Sequence, residues 1–587
     1  MIKLKKGGGF LTEETDALDM FTPEDFTEEQ LMIGKMTADF VEKRVIKNLA
    51  AMENHDFNQV VALMKEAGDL GLLSSDIPDE FGGLGLDKIS SAIISEKMSS
   101  AGGFSVTHGA HIGIGSLPIV LFGNQKQKEK YLPYLATGEK IAAYALTEPQ
   151  AGSDAMSIRT TAVLNKEGTH YILKGEKQWI TNAGIADVFT VFAKVDGKHF
   201  SAFIIEKGFP GFSIGKEENK LGIKSSSTCG LKFDNVFVPI ENLLGEKGKG
   251  HIIALNILNI GRFKLGVGAV GASKEAIKKT ISYTNNRVQF HTPIAQFPLT
   301  KEKLATMATY LYAAESAVYR TAGLLSANMS RLPNDADRKM VASAINEYAI
   351  ECSLNKVFAS EVLDMIVDEC VQLHGGNGFM EGYGITRMYR DARINRIFEG
   401  TNEINRLLVP AALLKKGLQG ELPLVQAAKS LEKQLLTMLP MDPEKAVLAQ
   451  EKMLVENGKK IALLLLGLTA QKFGHALEQE QEMLANLSNI TMLVYNMESA
   501  LLRTEKAIKR GQSNESQKIL YTEIYCGEAF QQINLEAIEI LANMESGDNL
   551  RMLLAGLKKL TRHLPKPIIA LKRKAAEEII AKKQYTV

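Results

Sequence analysis

The 587-residue chain is too long for one ordinary core, and its length alone suggests about three or four domains. Its 69 Lys and Arg balance 68 Asp and Glu, so no overall field recommends nucleic acid or an anionic membrane as partner, and any anion must be met by a local site. Four cysteines, Cys229, Cys352, Cys370 and Cys526, lie far apart without a CxxC pair, which indicates neither a zinc site nor a disulfide framework and fits a reducing compartment.

The N-terminal stretch MIKLKKGGGFLTEETDALDM has lysines but no apolar core for a signal peptide, and it turns acidic at once, unlike a transit peptide. The expected location is the cytoplasm. Residues 27–142 read as a helical domain, as in FNQVVALMKEAGDLGLL, where apolar positions recur at three and four, punctuated by turns such as PDEFGGLG. Within it His108 and His111 form an HxxH pair with no Glu motif to complete a zinc site, so no metal is expected.

Residues 143–250 change texture. Short β-branched and aromatic runs (DVFTVFAKV, SAFIIEK, GLKFDNVFV) alternate with glycine-containing breaks and predict a small antiparallel β domain. Its single tryptophan, Trp179 in KQWITNAG, reads on its own as a core residue. Helical periodicity returns over 251–411, interrupted by HGGNGFMEGYG at 374–384. GVGAVG at 266–271 matches the phosphate-binding GxGxxG, but the preceding sequence is helical and no acid occurs between Glu275 and Glu302. Its glycines are read as a close approach between helices.

Residues 412–587 begin near LQGELPLV (418–425) and contain long charged amphipathic helices without a catalytic constellation, so a packing or assembly domain is expected. The apolar run IALLLLGL at 461–468 is far short of the roughly 18 residues a span requires and reads as the buried stripe of a helix. The fold class is α+β, mostly α, in the order helical, β, helical, helical.

In RIFEGTNEINR (396–406), Glu399 stands between an aromatic residue and a glycine. Desolvated beside Phe398, it would have a raised pKa and could serve as a base toward an acidified proton. Alternatively it decorates a helix start capped by Thr401 or Asn402.

Five stretches in order, YALTEPQAGSD (144–154), KQWITNAG (177–184), QLHGGNGF (372–379), YRDARI (389–394) and IFEGTNEI (397–404), resemble the signatures of the acyl-CoA dehydrogenase family. The resemblance covers about residues 27–411 and implies an N-terminal helical domain, a middle β domain and a C-terminal four-helix bundle. It implies FAD as cofactor and oxidation of a fatty acyl-CoA between Cα and Cβ, with Glu399 taking the α-proton while the β-hydride passes to flavin N5. The thioester oxygen would be held by the Glu399 amide and a ribityl hydroxyl, with Gly400 allowing close approach. Some relatives carry the base where Gly261 stands, so no second acid competes here, and Asn259 and Arg262 would lie near the substrate or the base.

The resemblance further implies that Leu146 and Thr147 line the isoalloxazine, that Ser153 meets phosphate or substrate, and that Trp179 and Thr181 flank the ring. Arg287 would pair with the FAD diphosphate and Phe290 would accompany it, although His291 and Pro298 depart from the usual pattern. Gln372, Gly375 and Gly376 would serve the adenosine side across a subunit interface, implying at least a homodimer, with Thr401 and Glu403 completing the cofactor set. KLGIKSSSTCG resembles the CoA-adenine loop, with Ser225 and Cys229 as unusual choices.

The C-terminal addition is similar to that of the very-long-chain type. Small residues Gly109, Ala110 and Gly113 leave room for a medium-to-long straight acyl chain. The link from 415 to 445, with Pro423, Pro440 and Pro443, lacks a long apolar face, so no stable membrane insertion is expected. Electron-transfer flavoprotein is the implied acceptor; an acyl-CoA oxidase and a non-catalytic relative used in assembly or binding are the alternatives.

Overall fold

The computed structural model describes residues 4–333, 337–437, 446–512 and 514–587, and its elements follow the expected order. Pro440 and Pro443 lie outside the described residues, whereas Pro423 immediately precedes a helix, Leu424–Thr437. Strands β1 (Ala142–Ala145), β2 (Thr161–Leu164), β3 (His170–Thr181), β4 (Val188–Val195), β5 (His199–Glu206), β6 (Phe212–Glu217), β7 (Thr228–Pro239) and β8 (Leu243–Leu244) form one sheet. Its order is β6-β7-β3-β2-β4-β5-β8, with β1 also on β4.

The sheet corrects the antiparallel expectation, because β1 and β2 both run parallel to β4. Neither is joined to β4 by a hairpin, so no tight turn forces them to be antiparallel. β4, VFTVFAKV, is buried along nearly its whole length, as a strand covered on both faces must be. β3 slips register against β7 between Lys177 and Ile180, a bulge that leaves Trp179 at a φ of +57° and 60% exposed. The lone tryptophan is therefore a surface residue.

α2 (Gly250–Asn286) packs against the sheet at β5 and carries α1 (Lys88–Met98), α3 (Pro298–Met329) and α4 (Ala349–His374), with α5 (Asn402–Leu418) packed on α4. The GVGAVG stretch lies inside α2, where its glycines admit neighbours. A Cβ at Gly266 would stand 3.2 Å from the Asn355 carbonyl oxygen of α4, and one at Gly271 would stand 2.1 Å from the Glu96 carbonyl oxygen of α1. The HxxH pair is equally structural. His111 Nδ1 accepts from the Ala142 amide at 3.0 Å and its Nε2 bonds the Leu135 carbonyl at 2.9 Å, while His108 Nε2 bonds the Leu72 carbonyl at 2.9 Å. Burial pushes both imidazoles down, to about 3 for His108 and about 4 for His111, so they are neutral struts.

Beyond the helix Leu424–Thr437, the C-terminal addition contains α6 (Ala449–Phe473), α7 (Gln481–Arg510), α8 (Glu515–Met544), α9 (Gly547–Thr561) and α10 (Ile568–Lys582). Residues 461–466 of the leucine run are buried in α6. The addition is no separate body: a single hydrophobic cluster runs from Val267 and Leu311 through Tyr495 and Ile524 to Ile579. Two segments, Gly103–Phe122 and Gly250–Asn286, have the length and composition of a membrane span, yet most of each is buried inside the fold.

The N-terminal stretch forms a strap across this junction. Gly7 and Gly8 donate their amides to Glu347 and Glu351 at 2.7 Å each, and a Cβ at Gly7 would stand 1.9 Å from the Glu347 carbonyl oxygen. Further along, Glu24 meets Arg503 at 2.8 Å and Lys518 at 2.6 Å. Arg503, 1% exposed, also meets Glu315 of α3 at 2.7 Å, and Lys274 of α2 then bridges Glu315 to Glu96 of α1. Strap, addition, bundle and N-terminal helices are thus tied by one buried chain of alternating charge.

Removing one member of such a chain strands its partners. Arg503→Met is expected to destabilise the protein by about 3–5 kcal/mol, read as a fall in the thermal midpoint, with a less than additive further loss on adding Glu24→Gln. Burial alone would raise the Glu24 carboxyl, but Arg503 and Lys518 hold it well below the usual range. Its contribution is accordingly full above the unfolded value of about 4.3 and lost as pH falls through the folded value, so the midpoint should drop on acidification.

Candidate active site

A cavity of ≈ 200 Å³ lies between α1, α2 and the segments leading into α5, and Glu399 stands at its wall. Along α2 it runs from Gly261 past Lys264 and Gly268 to Ala272, about 16 Å at the helical rise. Gly109, Ala110 and Gly113 line it as expected. No heavy atom lies within 4 Å of where a Cβ would be at Gly109 or Gly268, so these positions are open, whereas Gly113 faces the stem of Lys264.

The polar side chains of the wall are largely turned into the protein. Ser95, Ser99 and Ser105 bond back to the carbonyls of Ser91, Glu96 and Gly102 at 2.9, 2.6 and 2.6 Å. Arg387 is paired with Asp391 at 3.0 Å and Lys264 with Asp76 at 2.7 Å. Glu399 stands apart from these, its Oε2 buried without a protein hydrogen-bond partner. Although the residue as a whole is half-buried, its carboxyl is the desolvated part. Burial pushes it up to about 7, against the pull of Arg262 and Lys356.

The loop that presents this carboxylate is strained. Glu399 has a φ of +59° and Gly400 of +79°, left-handed values that cost a side-chain-bearing residue on the order of 1–3 kcal/mol. Its carbonyls are held in compensation. Arg262 Nε donates to the Glu399 carbonyl at 3.2 Å, Lys356 Nζ to that of Gly400 at 2.8 Å, and Asn405 Nδ2 to those of Gly400 and Thr401 at 2.8 and 3.0 Å. Thr401 N-caps α5, accepting from the Ile404 amide at 3.2 Å, so the helix-start reading and the buried-acid reading hold together. Glu403 sits exposed in the first turn.

Gly261 is the complement of Glu399: a Cβ there would lie 2.6 Å from Oε2. Of Asn259 and Arg262, expected near the substrate or the base, Arg262 stands beside the base, behind the loop. Asn259 Oδ1 accepts from Arg262 Nη1 at 3.0 Å, and neither residue lines the cavity. Lys356 and Asn405 escaped the sequence reading. Lys356, a lone cation in the apolar run of α4, is fully buried, and burial pushes its ammonium down to about 7.

Apart from Thr401 and Glu403 at the start of α5, the residues expected to meet a cofactor fall into two groups. Leu146 and Thr147 follow β1 and are pinned to β3 by the buried Lys177, which donates to the Leu146 carbonyl at 3.0 Å and pairs with Glu148 at 2.7 Å. Thr181 lines the cavity and the outward Trp179 lies two residues before it, while Ser153 is exposed on the loop between β1 and β2. The second group lies at the other end of α2. Arg287 and Phe290 are exposed on a two-stranded hairpin, and Gln372, Gly375 and Gly376 are exposed at the end of α4. The two ends meet where Tyr283 stacks on His374 at 4.2 Å. Arg287 is 26 residues beyond Gly261 along α2, about 39 Å at the helical rise.

In the loop resembling a CoA-adenine site, Ser225 donates its amide to Glu53 at 3.1 Å, and Cys229 is buried beside Glu217. Among the described residues no cluster of His, Cys, Asp and Glu could hold a metal.

Comparison with known proteins agrees with this arrangement. Family profiles described as acyl-CoA dehydrogenase N-terminal domain, middle domain and C-terminal domain match residues 27–139, 143–236 and 248–414, and a second C-terminal-domain profile matches 457–559. A probable acyl-CoA dehydrogenase of Bacillus subtilis is 60% identical over 100% of this chain and 99% of its own. The human mitochondrial very long-chain specific acyl-CoA dehydrogenase is 44% identical over 59% of this chain and 52% of its own. The crystal structure of an acyl-CoA dehydrogenase complexed with FAD from Bacillus anthracis, 59% identical, superposes with a TM-score of 0.98 over 99% of this chain and 100% of that one. With all four profiles in order and a full-length relative at that identity, the chain belongs to the acyl-CoA dehydrogenase family.

Proposed function

We propose that the protein is an FAD-dependent acyl-CoA dehydrogenase that converts medium-to-long straight-chain acyl-CoA to the trans-2-enoyl thioester and passes the electrons to an electron-transfer flavoprotein. The observation that carries the reading is the partnerless Oε2 of Glu399 on the wall of a cavity whose other polar groups are largely bonded elsewhere. An apolar chain loses nothing by entering such a cavity, and the carboxylate is the wall group left to act on it. Raised toward 7, Glu399 is a stronger base than an ordinary carboxylate, which an α-proton requires. Among the described residues its amide has no protein acceptor and is available to the thioester oxygen, where a hydrogen bond acidifies that proton.

The residues present fit FAD. Trp179 and Thr181 offer a ring-sized contact beside the cavity, Arg287 offers a guanidinium fork for a diphosphate, and Gly375 and Gly376 leave open space where a side chain would intrude. When bound, FAD supplies the acceptor for the β-hydride. A span of about 39 Å along α2 is too great for both groups of one chain to hold a single cofactor at Glu399, which supports a homodimer in which each chain lends its Arg287 end to the other. The four cysteines are all free and buried, in keeping with the cytoplasm.

Anaerobic palmitoyl-CoA should bleach the flavin band of the wild type, and Glu399→Gln should slow the bleaching by about 10²–10⁴-fold while leaving the band itself in place. A protein that takes up no FAD would overturn the reading. Because Glu399 must be ionised to accept a proton, the rate should rise with pH through about 7. Lys356→Met, which removes one of the cations holding that value down, should move the rising limb upward. Gly261→Ala places a methyl against Oε2, and kcat should fall about 10–100-fold with FAD content unchanged.

A further inference from the structure

We infer that Asp76 is a positioning residue for Lys264 and, through it, sets the length of acyl chain that the cavity admits; the inference rests on the function proposed above. Lys264 follows Gly261 by three residues on α2, about 4.5 Å further from Glu399 at the helical rise, and lines the cavity. An acyl chain extending from the reacting carbons toward Gly268 and Ala272 must pass it. A four-carbon chain ends before it.

The side chain is divided between two environments. Its stem forms the cavity wall opposite Gly113, where a Cβ would stand 3.9 Å from Lys264 Cδ. Its ammonium is drawn out of the cavity, with Nζ 2.7 Å from Asp76 Oδ2. Asp76 is itself buried and tightly anchored: it meets Lys88 Nζ at 2.5 Å and accepts from Ser91 Oγ at 2.8 Å. The wall therefore presents methylenes although a lysine lies in it, a division of stem and head that long cationic side chains allow.

An ordinary buried ion pair would not need one partner on a cavity wall midway along its length. Here the geometry gives the pair a consequence for substrates. Without the Asp76 carboxylate, the uncovered side open to Lys264 is the cavity, and an ammonium there must be desolvated by any chain that passes.

The test uses the FAD-loaded enzyme and anaerobic flavin bleaching with butyryl-CoA and palmitoyl-CoA. Asp76→Asn should lower kcat/KM for palmitoyl-CoA by ~10-fold or more while changing the slower butyryl-CoA reaction by less than about twofold. Adding Lys264→Met should bring palmitoyl-CoA turnover back to within about threefold of wild type, since the freed ammonium and not the lost carboxylate is the obstacle. Equal losses on both substrates, or no recovery in the double variant, would overturn the inference. A wild type that bleaches with neither substrate would instead defeat the proposed function, and the flavin absorbance of each variant reports whether it has folded.

Discussion

The role proposed for Glu399, taking a proton from carbon, requires a carboxylate kept dry without being neutralised, and much of this structure answers that requirement. Dryness comes from a wall whose serines, histidine and lysine are bonded outward. Charge is preserved because Arg262 and Lys356 bond the carbonyls of the loop and not the carboxylate itself, so their fields favour the anion without a proton-sharing contact. The same two bonds, with Asn405, hold a backbone conformation that a glutamate does not adopt unaided. Gly261 follows from this arrangement, since any larger residue would occupy the space of Oε2.

The long helix α2 carries these demands to the rest of the molecule. One stretch of it faces Glu399, the next forms the cavity wall, and Lys274 beyond that enters the buried charge chain reaching Arg503 of the C-terminal addition. Buried ion pairs return little net stability compared with well-packed apolar residues, but they tolerate few alternative arrangements. Their placement where strap, bundle and addition meet fits a role in fixing orientation. The shared hydrophobic core supplies the cohesion.

What could be read from the sequence was what local pattern encodes. Helical and β regions followed from periodicity, GVGAVG was separable from a nucleotide turn by its missing strand, and Glu399 stood out only through five motifs taken together. What escaped depends on contacts distant in sequence. Trp179 is exposed because β3 slips against β7, some 50 residues on, and the parallel pairing of β1 with β4 involves no local turn. Lys356 and Lys264 look like surface charges on helices until their partners, Gly400 and Asp76, are placed beside them. The N-terminal strap likewise bonds residues 340 and more positions away, where no periodicity could announce it.

The homodimer proposed above, in which the partner chain supplies the Arg287 that lies far from Glu399 along α2, would have a genetic consequence. In a dimer whose two sites each take Glu399 from one chain and Arg287 from the other, the two lesions belong to different complementation units although they lie in one gene. A mixed dimer of a Glu399→Gln chain and an Arg287→Ala chain collects both defects in one site and leaves the other intact. Two alleles, each inactive alone, then restore activity when expressed together.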